Sequence, residues 1–147
     1  MRLVVQRVTG CEVWIDGKVH SKTGEGLLVL FGTRRGDKEM SCNHLADKLV
    51  NLRIFEDDEG KMNLSALDVG AEIMVVSQFT LYADCRKGRR PSFGTAMDPA
   101  EAEPLYNRFV DLVAASGLVT KTGEFGAKME LKFTNQGPVT VIVEHDL

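Results

Sequence analysis

Alternation is plainest near the end of the chain. In Lys128-Met129-Glu130-Leu131-Lys132-Phe133 apolar side chains take every second place, and Val139-Thr140-Val141-Ile142-Val143 is β-branched throughout. A period of two puts like residues on one face of a strand. Two strands are therefore expected, Lys128 to Thr134 and Val139 to Glu144. Between them stands Asn135-Gln136-Gly137-Pro138. Proline donates no backbone hydrogen bond and belongs at the edge or start of a strand, so one reading is a turn. Glycine lets another group approach closely, and an X-Pro bond is the one common place for a cis peptide. The other reading is bare backbone presented to a ligand. Local sequence leaves both open.

Taken from the start, Arg2 to Val8 alternates as a strand and Cys11 to Ile15 reads as another. Asp16-Gly17 supplies a hairpin turn, and Lys18-Val19-His20 returns. Gly26 to Gly32 is a continuous apolar run bounded by glycines, which suits a fully buried strand. From Lys38 the period becomes helical. Leu45, Ala46, Leu49, Val50 and Leu52 share one face, opposite Asn43, Asp47, Lys48 and Asn51. Arg53-Ile54-Phe55 is extended, Glu56 to Gly60 is an acidic turn, and Lys61 to Ser65 leads on to a strand at Glu72 to Ser77. Asp98-Pro99 opens a second helix: Asp98 caps and Pro99 suits the first position. Leu105, Phe109, Leu112 and Val113 form its stripe, Pro104 should kink or restart it, and Ser116-Gly117 ends it. The sum is a single α+β domain over residues 1–147, a curved and mostly antiparallel sheet with two main helices.

Composition narrows the class. The 147 residues suit one domain, and 44% hydrophobic with 27% charged residues is ordinary for a soluble globule. Cys11, Cys42 and Cys85 are too few and too scattered for a disulfide framework, which points to a reducing cytoplasm. Neither a signal peptide nor a membrane span is expected. A net charge of −3 is awkward for a nucleic-acid partner. Positive charge is local, at Arg34-Arg35 and at Arg86-Lys87-Gly88-Arg89-Arg90.

Side-chain chemistry is sparse. His20, His44 and His145 show no metal-ligand spacing, so no metal and no cofactor is expected. There is no Gly-x-Ser-x-Gly elbow. Arg86 beside Cys85 would favour a thiolate, but one neighbour is thin support. Ser77 and Thr80 are nucleophiles by type, yet no base adjoins them. What remains is backbone: free N–H groups at Phe79 and Thr80, where the strand ending at Ser77 stops pairing.

The stretch Ser77-Gln78-Phe79-Thr80-Leu81-Tyr82-Ala83-Asp84, with Asn135-Gln136-Gly137-Pro138-Val139-Thr140, closely resembles the paired signatures of the D-aminoacyl-tRNA deacylases. The opening Met1 to Val8, Gly88-Arg89-Arg90-Pro91-Ser92-Phe93 and Thr122 to Met129 agree with it in the family's order. The resemblance implies a barrel-like sheet with helices packed outside and a homodimer. It implies hydrolysis of the ester of D-aminoacyl-tRNA, bound by its 3′ acceptor end. Oxyanion stabilisation would come from the Phe79 and Thr80 N–H groups, with Ser77 and Gln78 beside them and the tRNA 2′-hydroxyl assisting. Gly137 and Pro138, joined by a cis bond and inserted into the partner's pocket, would hold the amino group and exclude L side chains, leaving glycyl-tRNA as a substrate. Arg7 would brace that element, Phe125 would stack on the terminal adenine, the Gly126 backbone would read its edge, and Met129 would line the pocket. The same basic cluster near Thr80 would then hold a phosphate near the reaction centre. The rival reading is a non-catalytic RNA- or DNA-binding dimer of the same fold.

Overall fold

The computed structural model describes residues 1–146. In chain order the elements are β1 (Arg2–Ile15), β2 (Lys18–Thr23), β3 (Gly26–Gly32), α1 (Glu39–Asn51), β4 (Phe55–Glu56), β5 (Met62–Leu64), α2 (Ala66–Val69), β6 (Glu72–Ser77), a 3-10 turn (Phe79–Tyr82), α3 (Pro99–Ala115), β7 (Thr120–Thr122) and β8 (Glu130–Glu144). The two strands expected before Asp16 are one. β1 runs through Thr9-Gly10, and its length lets it serve three partners. On one side it pairs with β3 through Arg2–Val8 and with β2 through Cys11–Ile15; on the other it pairs with β8. Asp16 and Gly17 form the expected hairpin turn, with φ of 50° and 75°.

Every pairing of β1 is antiparallel, whereas β6 runs parallel to both β3 and β7. The sheet is therefore mixed. A parallel neighbour requires a crossover, and the two helical segments supply it: α1 lies between β3 and β6, and α3 between β6 and β7. The ends of the sheet curl together. The Ser21 hydroxyl on β2 donates to the Thr122 carbonyl on β7 at 2.6 Å, which brings the sheet close to a closed barrel.

Burial on both faces explains the unbroken apolar run of β3. Leu27, Val29 and Phe31 pack against Leu45 and Leu49 of α1 and Phe109 and Val113 of α3. Leu28 faces the barrel interior with Val8, Cys11, Val13, Met74 and Val76. Three local expectations change. α3 does not restart at Pro104 but is one helix from Pro99 to Ala115; Pro104 and Ala100 are both exposed, so water can take the carbonyl that proline leaves unbonded. The Asp98 side chain makes no cap hydrogen bond, because it is paired with Arg35. The segment before β6 contains α2, closed by a capping box between Ser65 and Asp68, where only a connection was expected.

Cys11 and Cys42 are buried and Cys85 is exposed. Burial pushes both buried thiols up to about 11, helped at Cys11 by the charge of Glu12. Near pH 8 a thiol reagent is therefore expected to label Cys85 alone in the folded protein and all three cysteines in denaturant. Rapid labelling of Cys11 or Cys42 in the folded protein would contradict this packing.

Candidate active site

The parallel pairing of β3 and β6 ends with Phe31 opposite Ser77. The Gln78 N–H still donates to the Phe31 carbonyl, at 2.8 Å. The chain then leaves the sheet and coils into the 3-10 turn. The Leu81 N–H returns to the Gln78 carbonyl at 3.2 Å, and the Gln78 side-chain amide donates to the Thr80 hydroxyl. Arg2 pins the far end: it donates to the Leu81 carbonyl at 2.6 Å, and its guanidinium lies 4.8 Å from the centre of the buried Tyr82 ring. Gly32 makes room beneath, where a Cβ would stand 3.0 Å from Leu81 Cβ and 3.1 Å from the Gln78 carbonyl. Among the described residues the N–H groups of Phe79 and Thr80 have no hydrogen-bond partner. They are the first donors of a helical turn, the position where such groups go unmet.

A second segment approaches the same place. Beyond β7, the chain from Gly123 to Met129 folds back with Gly126 at φ 79°. Phe125 packs against Tyr106 with ring centres 5.7 Å apart, and the Tyr106 hydroxyl donates to the Val75 carbonyl on β6 at 2.8 Å. That buried bond ties α3, the sheet and Phe125 into one unit.

Between these segments lies a cavity of about 570 Å³, lined by Ser77, Gln78, Phe79, Phe125, Gly126 and Met129 among others. Six of the residues singled out in the sequence therefore share one site. Thr80 sits on the turn without lining the cavity wall. Two further wall residues carried no expected role, Arg35 and Phe93. Phe93 meets Phe79 edge-on at 5.1 Å. Arg35 donates to the Gly94 carbonyl at 3.1 Å and to Asp98 at 3.2 Å. The basic Arg34-Arg35 pair and the Gly88–Phe93 segment were visible signals, but nothing in the sequence joined them across a gap of more than fifty positions.

Arg86 is turned to Asp84. Its guanidinium grips Asp84 through two hydrogen bonds of 2.9 and 2.8 Å. Those bonds, with the Arg86 backbone N–H, hold the Asp84 carboxyl down at about 2.

Arg7, Gly137 and Pro138 lie elsewhere. The expected pair of C-terminal strands is a single β8, and Gln136–Val139 is a bulge within it. Val8 pairs with Asn135 and Gln6 with Thr140, so four residues of β8 face the single Arg7 of β1. The Asn135 side chain takes over where β1 is lost: it accepts from the Val139 N–H at 2.7 Å and donates to the Val139 carbonyl at 3.1 Å. The Gly137–Pro138 bond is cis, Gly137 has φ 135°, and both residues are exposed. Arg7 is buried beneath them. It donates to the Gln136 carbonyl at 3.1 Å and the Ile54 carbonyl at 2.8 Å, and stands 3.7 Å from Glu56. The fold makes Arg7 the post on which the bulge rests. Arg7 and Gly137 line a second, more polar cavity of about 560 Å³. Within one chain the bulge and the first cavity are separate.

The model of the family described as D-Tyr-tRNA(Tyr) deacylase matches residues 4–144. A D-aminoacyl-tRNA deacylase of Desulfatibacillum aliphaticivorans is 56% identical over 98% of this chain and 99% of that protein. One of Carboxydothermus hydrogenoformans is 55% identical over the same shares. The solved structure of a c-Myc DNA Unwinding Element Binding Protein superposes with a TM-score of 0.93 at 40% identity, covering both chains completely. These likenesses span the chain from β1 to β8 and include both the Ser77–Phe79 wall and the Gly137-Pro138 bulge: the chain belongs to the D-Tyr-tRNA(Tyr) deacylase family.

Proposed function

We propose that this protein is a cytoplasmic hydrolase that cleaves the ester of D-aminoacyl-tRNA to free D-amino acid and tRNA. One observation carries the reading: Ser77, Gln78 and Phe79 meet Phe125, Gly126 and Met129 around one cavity, beside two N–H groups without partners. The terminal adenine stacks on Phe125, the Gly126 backbone meets its edge, and Met129 packs the wall. This places the ester near the Phe79–Thr80 turn. Water adds to the carbonyl carbon, and the oxyanion that forms is held by the Phe79 and Thr80 N–H groups, each such donor lowering the barrier by about 2.7–4 kcal/mol. Collapse breaks the bond to the ribose oxygen, which takes up the proton surrendered by the water. The vicinal 2′-hydroxyl relays that proton. A substrate-borne relay suits a cavity whose single carboxylate among the described residues, Asp98, is already paired with Arg35.

Chirality is read by backbone. The exposed Gly137 and Pro138 cannot serve the cavity of their own chain, so the active form is a homodimer in which the partner subunit's Gly137 and Pro138 enter it. Their carbonyl oxygens hold the substrate amino group and occupy the space of an L side chain. β8 pairs only with β1 among the described strands and carries Phe133 and Ile142 exposed, an edge suited to covering by a second copy.

A filter that never touches the D side chain predicts breadth. D-tyrosyl- and D-alanyl-tRNA are expected to be cleaved within about tenfold of each other, a margin no wider than one or two methylenes in a dedicated pocket would give, and glycyl-tRNA also. Cleavage of a single D-ester would contradict the steric filter. No cleavage of any would favour the second reading, a nucleic-acid-binding dimer, which the likeness to the DNA unwinding element binding protein supports.

Thr80 acts here through its N–H. Thr80→Ala is expected to keep deacylation within about tenfold of the parent, whereas losing a general base costs roughly 10²–10⁴. A single-turnover assay measures this; a thousandfold loss with tRNA still bound would make the hydroxyl a catalytic group.

A further inference from the structure

The rim of the first cavity continues into a strongly basic loop. Its stem is the antiparallel bridge between Asp84 and Ser92, closed by hydrogen bonds of 2.7 and 2.9 Å. One foot of the stem follows the Phe79–Tyr82 turn. The other leads directly into Phe93 of the cavity wall, which Arg35 steadies through Gly94. Between the feet stand Arg86, Lys87, Arg89 and Arg90, all exposed. Arg86 is engaged with Asp84. Lys87, Arg89 and Arg90 make no ion pair among the described residues. In a chain of net charge −3, uncompensated cations gathered at the mouth of the cavity call for an anion there.

We infer that this loop seats the phosphates of the single-stranded RNA leading out of the cavity, with Arg89 and Arg90 as the contacting side chains. The inference rests on the deacylase reading for the direction of the strand: the terminal nucleoside occupies the cavity and the phosphates preceding it pass the rim. Arginine suits phosphate through its forked donors. Phe79 and Phe93, 57% and 38% exposed, give the preceding base an aromatic surface beside the charges. Such a contact positions the substrate without reading sequence.

The test is binding of uncharged tRNA across a salt series, for the parent protein, for R89Q/R90Q, and for K48Q/K61Q, which removes two exposed charges elsewhere. Two lost phosphate contacts should make the slope of log affinity against log salt shallower by about 1.4 and weaken binding at low salt roughly tenfold. K48Q/K61Q should show neither change. An unchanged slope in R89Q/R90Q, or an equal loss in K48Q/K61Q, would overturn the inference. Because the readout is binding, failure of the deacylase reading shows separately, as no amino acid released from any D-ester by the parent protein.

Discussion

Replacing Gly137 by alanine will lower single-turnover deacylation of D-tyrosyl-tRNA about a hundredfold, the scale of a 1 Å misplacement in a site that works by positioning. At φ 135° an L side chain is strained whatever the space around it. Here there is also no space. The new Cβ would stand 2.8 Å from Val139 Cγ2, 3.1 Å from the Val139 nitrogen and 3.2 Å from Arg7 Nη2. None of these neighbours yields easily. Val139 is held on both sides of its backbone by Asn135, and the Arg7 guanidinium is fixed by two carbonyls. The displacement therefore falls on the bulge itself, moving the two carbonyl oxygens proposed to hold the amino group. Selectivity should fall with rate, because the same atoms are proposed to exclude the L side chain. A Gly137→Ala protein that kept both rate and stereoselectivity would remove the bulge from the site.

Arg7→Ala will cost about 3 kcal/mol of stability, since the buried Ile54 carbonyl and the part-buried Gln136 carbonyl lose charge-assisted donors and the space of a buried side chain is left unfilled. For a chain of this size that lowers the melting temperature by roughly 6–12 °C. Glu56 contributes little, being 58% exposed and 3.7 Å away. Deacylation should drop with it, as in Gly137→Ala, because the Gln136 carbonyl loses its anchor and the bulge its floor. Arg7→Lys should not restore activity: a single ammonium cannot reproduce the fork that reaches the Gln136 and Ile54 carbonyls together. Calorimetry and the same deacylation assay read the two effects. Full activity in a stable Arg7→Ala protein would show that the bulge needs no support from below.

Much of this was legible in the residues, and the exceptions share a cause. The β3 run, the hairpin at Asp16-Gly17 and the stripes of α1 and α3 follow from local periodicity. The motif residues Ser77, Gln78 and Phe79, with Phe125, Gly126 and Met129, fall on one cavity as the family pattern implies. The errors lie where tertiary pairing overrides local sequence. Thr9-Gly10 reads as a break, but β1 continues because β8 pairs with Val8 before it and Cys11 after it. Asn135 to Pro138 reads as an interruption between two strands, a turn or bare backbone, but Asn135 supplies hydrogen bonds that a partner strand would have given, so the ladder resumes at Thr140. The parallel partners of β6 were hidden because pairing direction depends on where α1 and α3 cross. Arg7 is marked as a brace by the family pattern and not by local sequence, because burial of an arginine is decided by a bulge 129 positions away. Arg35 and Phe93 joined the site only through contacts that span the fold.

On the function proposed above, this fold cleaves one mirror image of an aminoacyl ester and spares the other. The most direct test is the pair of single-turnover rate constants on D- and L-tyrosyl-tRNA made from one tRNA preparation. Fast release of D-tyrosine, with L-tyrosine leaving no faster than it does without protein, is the predicted result. Equal release from both esters, or release from the L-ester alone, would contradict it.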